Sequence, residues 1–362
     1  MTIEIREDTF YQIFSKNSGK VLDVLNWSYD NSAKIIQFES HRGDNQQWMF
    51  FKLDGGYYAI VSKHSGKVLD VRGEDRKNAS LIQQFQWRGD AGNQKWIIKK
   101  VPDKDRYAYL QAKHSAKVID VLGFNKNNGA DIAQWDLVGG ENQMWEFVPV
   151  ENISFPEIKT GELPDCPQFK SLSDNLPDST DPVVTSYVKI PCIYVNGDLE
   201  DQVKMKISPY YILKKTQHWQ KLDSMVIAPG KTQKSRIETG ITQTDQQSMN
   251  QTLNVSITTD AGFDFEPFSA SISTTISAGL EMNRSSITER MTSQVIEEEL
   301  TNPTDHLLAW AKYAVVNEFS LHRMDDNLSL INSWRFTDNN RTKETAFPVG
   351  AQNKLLSEVT TQ

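Results

Sequence analysis

The sequence predicts an all-β protein of two domains, a threefold-repeated domain in residues 1–150 followed by an elongated β-sheet domain in residues 151–362. Its 362 residues exceed the size at which one hydrophobic core usually stops growing. The first domain repeats itself with a period of about 48 residues, which indicates three copies of one supersecondary unit. The second domain contains a long stretch in which apolar and polar residues alternate with the period of a β-strand.

The composition of the chain argues against several classes of function. Mean hydropathy is -0.53, and because no apolar run reaches about 18 residues, we expect no membrane-spanning helix. The start MTIEIREDTF has neither the basic nor the apolar segment of a signal peptide, so we expect no conventional export signal. With 47 acidic against 39 basic residues, a net charge of -8 and no basic block, the chain is not expected to bind nucleic acid.

The sequence also lacks the motifs of common enzymes. It has no Gly-x-Ser-x-Gly, no His-Glu-x-x-His, no phosphate-binding glycine loop and no Cys-x-x-Cys pair. The six histidines are scattered without the spacing of metal ligands. We therefore expect neither catalysis nor a metal or other cofactor. A glycosidase with a sugar-binding module is kept as a lower-ranked alternative, because a catalytic carboxylate pair leaves no motif.

Two sequence blocks define the repeat of the first domain. The first block is SKNSGKVLDV at 15–24, SKHSGKVLDV at 62–71 and AKHSAKVIDV at 112–121. The second block ends in Gln-x-Trp in every copy, at Trp48, Trp96 and Trp145. Units of this kind cannot bury their apolar faces alone, so the three copies are expected to share one core.

Each repeat carries groups suited to a sugar ring. Carbohydrate recognition needs an acceptor for two hydroxyl protons and an aromatic face for the apolar side of the ring. An Asp of the first block precedes a Gln by 14 residues in all three copies, and an aromatic residue follows that Gln at once. The resulting pairs are Asp23 with Phe38, Asp70 with Phe85, and Asp120 with Trp135. Because Asp also favours turns, the alternative is that these carboxylates only stabilise turns.

The three copies ending in Gln-x-Trp resemble the ricin-B-type β-trefoil lectins, over about residues 8–149. The resemblance implies a β-trefoil carbohydrate-binding domain in residues 1–150, with the motif tryptophans in its core and cell-surface glycans as partners. It also implies one sugar pocket per repeat, completed by Asn45, Asn93 and Asn142. Trp135 gives the third pocket the best stacking platform, whereas Asn93 lies one residue farther from its aromatic than the other two.

The second domain begins with a loop-rich segment. Prolines appear at 156, 164, 167, 177, 182 and 191. Strand-like runs follow at 183–195, 205–213 and 307–319, the last of which also fits a helix. Cys166 and Cys192 are too few for a disulfide scaffold, so they either form one bridge or remain two buried thiols.

A basic-free stretch from 237 to 283 contains the most informative pattern of this domain. Apolar residues take odd positions up to 265 and even positions from 268, which predicts an antiparallel hairpin pairing 265 with 268 through to 253 with 280. Both apolar series then share one face: Leu253, Val255, Ile257, Ala261, Phe263 and Phe265 on the first arm, and Phe268, Ala270, Ile272, Ile276, Ala278 and Leu280 on the second.

The predicted arms are long enough to insert into a membrane. Each has 13 residues, and a tilted strand needs about 9–11 residues to cross the hydrocarbon of a bilayer. Alternation of apolar and polar residues is the pattern of a transmembrane β-barrel strand, because only a closed barrel pairs every backbone group of a sheet in lipid. The alternative is an ordinary amphipathic hairpin that covers a core.

Several segments of the second domain are similar to the binary-toxin-like (Tpp or toxin_10-type) insecticidal crystal proteins of spore-forming bacilli. They include PYYILKKTQHW at 209–219, APGKTQKSRIETGITQTDQQSM at 228–249, and WAKYAVVNEFSLHRMDDN near the end. The resemblance implies an aerolysin-like β-pore-forming toxin domain in residues 151–362, a homo-oligomeric pore in the host membrane and, as in some relatives, a second toxin component.

The combined hypothesis is an insecticidal β-pore-forming toxin that binds cell-surface glycans or a glycoprotein receptor, oligomerises and inserts the 253–280 hairpin. It would be made in the bacterial cytoplasm as a spore-associated crystal and act at the target cell membrane. The competing hypothesis is a non-toxic lectin or agglutinin whose second domain only oligomerises. The last residues, KLLSEVTTQ, are expected to form an exposed tail that is removed on activation.

Overall fold

The structure is a computed structural model that describes residues 4–258, 262–264, 270–282 and 292–361. The first domain forms β1 (Thr9–Ser15), β2 (Val21–Val24), β3 (Ile35–Phe38), β4 (Trp48–Lys52), β5 (Tyr57–Ser62), β6 (Val68–Val71), β7 (Ser80–Phe85), β8 (Trp96–Lys100), β9 (Ala108–Ala112), β10 (Val118–Val121), β11 (Ala130–Trp135) and β12 (Trp145–Asn152). The second domain forms β13 (Val183–Pro191), α1 (Asp201–Ile207), β14 (Tyr210–Ile227), β15 (Thr232–Ile241), α2 (Gln243–Leu253), β16 (Ser256–Ile257), β17 (Phe263–Asp264), α3 (Ala270–Gly279), β18 (Gln294–Thr301), β19 (Leu308–Arg323), β20 (Leu330–Phe347) and β21 (Leu356–Thr361). The predicted mostly-β fold of two parts is confirmed.

Six strands of the first domain close into an antiparallel barrel, in the order β1, β12, β9, β8, β5, β4 and back to β1. The other six strands form three hairpins, β2 with β3, β6 with β7, and β10 with β11. Strand β11 pairs with both β3 and β7, so the hairpins are joined to one another as a cap. A barrel of six strands with three such hairpins is a β-trefoil, one third of which comes from each sequence repeat.

The motif tryptophans lie in the trefoil core, as the repeat predicts. Trp48, Trp96 and Trp145 are fully buried. Each indole nitrogen donates to the backbone carbonyl of the residue before a pocket Asp, at 3.3 Å to Leu22, 2.9 Å to Leu69 and 3.2 Å to Ile119. The core tryptophan therefore fixes the strand that carries the Asp proposed to bind a sugar.

The Gln that precedes each pocket aromatic connects one repeat to another. Gln37 donates its amide to the carbonyls of Asn125 and Asn127, at 2.8 and 3.0 Å. Gln84 does the same to the loop of the first repeat, and Gln134 to the loop of the second. Each of these side chains bonds to loop carbonyls of another repeat, so together they hold the three repeats in one arrangement.

The second domain is built on an antiparallel sheet with the strand order β13, β14, β19, β20, β15, β18, β21. Its central strands β14, β19 and β20 are long and pair over most of their length. Strand β15 pairs with β20 only at Gly240 and Ile241, and with β18 from Thr232 to Thr239. The sheet therefore forks at Gly240, and β15, β18 and β21 form its outer branch.

Parts of the sequence interpretation of this domain are corrected by the structure. Residues 307–319 lie almost entirely in strand β19, but Met205 belongs to helix α1, and the strand predicted at 205–213 begins only at Tyr210. Pro209 separates the two elements, since proline disfavours helical geometry in the residue before it. Cys166 and Cys192 are both buried free thiols, so the disulfide alternative is wrong.

The predicted pairing of the 253–280 hairpin is wrong for this structure. Leu253 ends α2, residues 270–279 form α3, and the short ladder between them joins Ile257 to Phe263. Side chains four residues apart share a face in a strand and in a helix alike, and Ile276 and Leu280 are buried in just this way. Ala261, Phe265, Phe268 and the turn at 266–267 lie outside the described residues.

The two domains share one apolar cluster. Phe10, Phe51 and Leu53 of the trefoil pack with Tyr194 and Tyr210 of the second domain. The rings of Phe51 and Tyr210 meet edge to face at 5.1 Å. The contact is backed by a continuous apolar core, and it positions the trefoil firmly on β13, β14 and helix α1.

Candidate functional site

The structure brings each predicted Asp, aromatic and Asn together at one hairpin of the trefoil. The Asp lies on the first strand of the hairpin, the aromatic ends the second strand, and the Asn lies in the short turn before the motif Trp. All three Asp and all three Asn side chains are buried, while the three aromatic rings are partly or well exposed. This combination places a polar floor beneath an aromatic wall in every repeat.

The Gln of each Gln-x-Trp motif is a site residue that the sequence analysis missed. Its amide nitrogen donates to the pocket Asp, at 2.8 Å from Gln46 to Asp23, 3.0 Å from Gln94 to Asp70 and 3.0 Å from Gln143 to Asp120. The same nitrogen also donates to a backbone carbonyl in the loop after the pocket aromatic. The recurrence of this Gln beside every pocket Asn was a signal for the role, since a buried carboxylate needs donors.

The third pocket has an available carboxylate. Asn142 and Gln143 both donate to Asp120 Oδ2, at 2.9 and 3.0 Å, and within the described residues no donor reaches Oδ1. Burial raises the pKa of the Asp120 carboxyl to about 6. Trp135, at 36 % exposure, and Phe124, at 54 %, offer ring faces to solvent. Asp120 can therefore accept hydroxyl protons beside an aromatic surface.

The amide of Asn142 leaves a second acceptor in this pocket. Its nitrogen donates to Asp120 and, at 3.1 Å, to the carbonyl of Val121. Its oxygen is buried and has no partner among the described residues, and the same is true of the Asn45 oxygen in the first repeat. A buried acceptor without a donor is costly unless a ligand or water supplies one.

The first pocket contains a histidine that the other two lack. Gln46 donates to Asp23 Oδ2, and His41 Nε2 lies 3.6 Å from the same oxygen. The His41 ring stacks on Trp27, with 5.7 Å between ring centroids, and approaches the edge of Phe38. A sugar ring in this pocket must therefore be accommodated beside His41, or displace it.

Both oxygens of the second pocket's carboxylate already accept hydrogen bonds from within the protein. Gln83 donates to Asp70 Oδ1 at 2.9 Å, while Asn93 and Gln94 donate to Oδ2 at 2.9 and 3.0 Å. The positions equivalent to Gln83 in the other repeats are held by Ile36 and Ala133, which have no amide. Asp70 therefore has less capacity for sugar hydroxyls than Asp120.

An arginine also occupies the mouth of the second pocket. Arg88 donates to Glu74 at 2.9 Å and to the Asn93 oxygen at 3.4 Å. Its guanidinium lies 5.6 Å from the centre of the Phe85 ring. The surrounding pocket has a volume of about 480 Å³, but the acceptors and the aromatic face that a neutral sugar would use are engaged from within. The extra residue between Phe85 and Asn93 was the sequence sign of this difference.

The predicted membrane segment is folded against the second domain. Ile257, Phe263, Ile276 and Leu280 are buried in the cluster shared by the two domains. Helix α3 comes so close to β13 that a Cβ on Gly279 would lie 2.3 Å from a methyl carbon of Val188. The apolar side chains of the segment that the structure describes are thus largely kept away from water, which avoids a large exposed apolar patch.

A buried lysine holds the C-terminal end of α3. Lys215, on β14, donates to the carbonyl of Leu280 at 2.9 Å and to that of Glu281 at 3.4 Å. Burial lowers the pKa of its ammonium group. A cation at the C-terminal end of a helix satisfies carbonyls that have no partner within the helix and complements the helix dipole.

The strands that flank this segment carry the register of the predicted hairpin. In the observed β15–β18 ladder, Thr239 pairs with Gln294. Fourteen steps forward from Thr239 and fourteen back from Gln294 reach Leu253 and Leu280, the first pair of the predicted hairpin. The faces match as well, because buried residues take odd positions on β15 and even positions on β18, as the apolar residues do on the two predicted arms.

Within the described ranges, no group of three or more His, Cys, Asp or Glu could hold a metal ion. None of the helices described there has the length and apolarity to span a membrane.

Two sequence families match the chain. The family described as ricin-type beta-trefoil lectin domain-like matches residues 2–85 and 92–160. The family described as Insecticidal Crystal Toxin, P42, matches residues 185–348. The first match covers the trefoil, and the second covers most of the sheet of the second domain with the candidate membrane segment, but not β21.

Several relatives are similar to the chain in sequence, and one of them is shown to share its fold. The binary larvicide subunit BinA of Lysinibacillus sphaericus is 27 % identical over 220 residues, which are 61 % of this chain and 58 % of BinA. Subunit BinB of the same organism is 32 % identical over 207 residues, 55 % of this chain and 45 % of BinB. The chain thus matches only about half the length of these relatives. The crystal structure of Cry35Ab1, an insecticidal crystal protein of Bacillus thuringiensis, has the same fold, with a TM-score of 0.81 at 23 % identity over 96 % of this chain and 92 % of that chain.

Proposed function

This chain is a relative of the binary-toxin-like insecticidal crystal proteins with a ricin-B-type trefoil, and we propose that it is a β-pore-forming insecticidal toxin. The trefoil binds glycans or a glycoprotein receptor on the target cell, several copies associate, and residues 253–280 of each copy enter the membrane as a hairpin of a shared barrel.

The observation that carries the proposal is the common register of the β15–β18 ladder and the hairpin. The two strands can extend toward the segment between them without a shift of pairing. A one-residue shift would move every apolar side chain to the wrong face. Because register and face both agree, the observed ladder can serve as the base from which the hairpin forms.

Insertion of the hairpin requires that helices α2 and α3 become strands. Helix α3 has the sequence ASISTTISAG, in which Ile, Thr and Ser have modest helix propensity and the β-branched residues favour strands. Its helical form therefore depends on packing and on Lys215. Moving its apolar face into lipid provides about 25 cal/mol per Å² of apolar surface removed from water.

The third trefoil pocket is the main carbohydrate site of the proposal. Asp120 accepts hydroxyl protons, Trp135 stacks against the ring, and Asn142 completes the floor. Asp23, Phe38 and Asn45 form a second site beside His41. Asp70, Phe85 and Asn93 form a pocket that needs Arg88 to move before a sugar can enter.

The proposal includes a bacterial source and a membrane target. BinA and BinB are named as subunits of a binary larvicide, so a second toxin component is a proposed partner for this chain as well. We propose synthesis in the bacterial cytoplasm, accumulation as a spore-associated crystal and action at the membrane of the target cell.

The polar face of the hairpin lines the proposed pore and determines whether it prefers cations or anions. It carries Asp264 and, outside the described residues, Asp260, and the stretch 237–283 has no Lys or Arg. Acidic side chains along a lumen attract cations. We expect a cation-preferring pore, and reversal potentials in a salt gradient measure this preference; anion preference would contradict the lumen assignment.

The competing function is a lectin or agglutinin whose second domain only oligomerises. The observation that favours it is the complete trefoil with its candidate sugar pockets. The test is dye release from liposomes that carry or lack glycans bound by the trefoil, and these glycans serve as the receptor. A pore former empties the liposomes that carry receptor, whereas an agglutinin clusters them and leaves the dye inside. Dye retention at full surface coverage would contradict the proposed function.

A further inference from the structure

The C-terminal residues form a strand, which corrects the expectation of an exposed tail. Strand β21 pairs with β18 from Ile296 opposite Thr361 to Thr301 opposite Leu356. On its other edge β18 pairs with β15. Both edges of β18 are therefore covered in this structure, and β21 supplies one of the two covers.

Strand β15 presents an open edge. On the side away from β18, the described part of the chain pairs only Gly240 and Ile241, with β20. The side chains of Thr232, Lys234 and Arg236 are exposed along the remainder. An open edge is a template for another strand. Among the described residues, one copy of the chain thus has a β15 edge without a partner strand over most of its length and a β18 edge that β21 occupies.

The charges on β18 and β21 make β21 an unfavourable neighbour for β18. Glu299 forms an ion pair with Lys234 of β15 at 2.7 Å, but Glu358 of β21 lies directly opposite Glu299 on the other side. Like charges directly opposite each other on antiparallel strands are destabilising. Strand β21 therefore pairs with β18 through two like charges at an exposed position, and their repulsion destabilises the β18–β21 ladder.

A second copy of the chain carries the complementary charges. Lys234 and Arg236 lie on the same exposed face as Glu297 and Glu299 within the β15–β18 ladder, because they are opposite one another there. A β15 edge brought beside β18 in place of β21 would present these two cations to the same two carboxylates. Glu298 takes no part, since it points to the buried face and pairs with Lys312.

We propose that the β18 edge under β21 is the docking surface for β15 of a second copy, with β21 as a displaceable cover that keeps the chain monomeric. The inference rests on the proposed pore function and specifies its intersubunit contact. Every copy offers one β15 edge and one β18 edge, so contacts of this head-to-tail kind can close into a ring. A closed ring of hairpins leaves no open edge, as a bilayer requires.

A reversible cross-link between β18 and β21 tests the proposal in the full-length chain. Thr301→Cys with Leu356→Cys places two cysteines directly opposite each other, within the Cα separation that a disulfide spans, and leaves Glu297 and Glu299 in place. The native Cys166 and Cys192 are buried and do not compete. On receptor-bearing liposomes, oligomers are counted by chemical cross-linking and dye release is recorded separately. We expect the oxidised protein to stay monomeric and the reduced protein to oligomerise.

The possible outcomes separate this inference from the pore function. Oligomers of the oxidised protein as abundant as those of the reduced protein would overturn the docking surface and leave the pore function standing. Oligomers without dye release in the reduced protein would support the docking surface and contradict the pore. Glu358→Lys, which replaces the repulsive pair by an attractive one, is expected to slow assembly about fivefold; unchanged assembly would contradict the role of β21 as cover.

Discussion

The trefoil and the segment from α2 to α3 are held in place by different kinds of contact. In the trefoil, core tryptophans and side-chain amides bond to the backbone of neighbouring strands and loops, and the same bonds recur in all three repeats. The α3 helix is held by one apolar face, a close approach at Gly279 and the lysine at its end. The first arrangement suits a rigid recognition surface, and the second suits a segment that changes structure.

The largest expected effect separates a core tryptophan from a surface one in the same repeat. Trp145→Ala is expected to lower the free energy of unfolding by about 3–5 kcal/mol, because it empties a fully buried site. Trp135→Ala is the matched control, since this ring is partly exposed; it should leave thermal stability nearly unchanged and remove glycan binding by the third repeat. Equal stability losses in the two variants would contradict the division between core and site.

The next prediction concerns the lysine at the end of α3. Lys215→Met removes the donor for the buried carbonyl of Leu280 and for the partly buried carbonyl of Glu281, which is expected to cost about 1–3 kcal/mol of local stability. Hydrogen exchange in residues 270–282 should rise, and dye release should accelerate. Lys214→Met on the same strand is the control, because Lys214 is more exposed and its exchange pattern should match that of the unmodified chain. Unchanged exchange in Lys215→Met would show that packing alone holds α3.

The trefoil and the segment from α2 to α3 also differ in how far the sequence predicts their structure. The trefoil pattern was informative because the repeat, the strand period and the core all indicate the same structure. The pattern of α3 was ambiguous, since Ile276 and Leu280 share a face in either secondary structure. The β21 strand could not be read from KLLSEVTTQ, because its partner β18 lies more than fifty residues earlier. Gln83 was visible in the sequence, but its bond to Asp70 depends on the pairing of β6 with β7.

A smaller effect is expected from pH at the third pocket. Asp120 accepts sugar hydroxyls in its ionised form, and its pKa is raised to about 6 by burial, so protonation below that pH removes the acceptor. Glycan binding by this repeat should be about tenfold weaker at pH 5 than at pH 7. Titration calorimetry at several pH values measures the change, and Asp120→Asn, which does not titrate, should bind weakly at both values. Binding that is equally strong at pH 5 and pH 7 would contradict the role of the carboxylate.

The smallest effect is expected in the second repeat. Because Gln83, Asn93 and Gln94 already satisfy Asp70, the substitution Asp70→Asn should change glycan affinity by less than about twofold, while Asp120→Asn causes the main loss. A large loss of affinity in Asp70→Asn would show that the second pocket is active.

The substitution Arg88→Ala removes the guanidinium from the Phe85 ring and should therefore add a binding site in the second repeat. Calorimetry measures this gain as an increase in binding stoichiometry over the unmodified chain.

Two adjacent threonines test whether residues 253–280 insert into the membrane as a hairpin. Thr274 and Thr275 are both exposed on α3, but in the predicted hairpin Thr274 lies on the apolar face near the middle of its arm and Thr275 on the polar face. Each is replaced by Asp, and dye release from receptor-bearing liposomes is recorded for folded protein of equal glycan affinity. Insertion as a hairpin predicts that Thr274→Asp abolishes release, because it places a charge against lipid, while Thr275→Asp retains it. Equal release by the two variants would contradict the insertion of residues 253–280 as a hairpin.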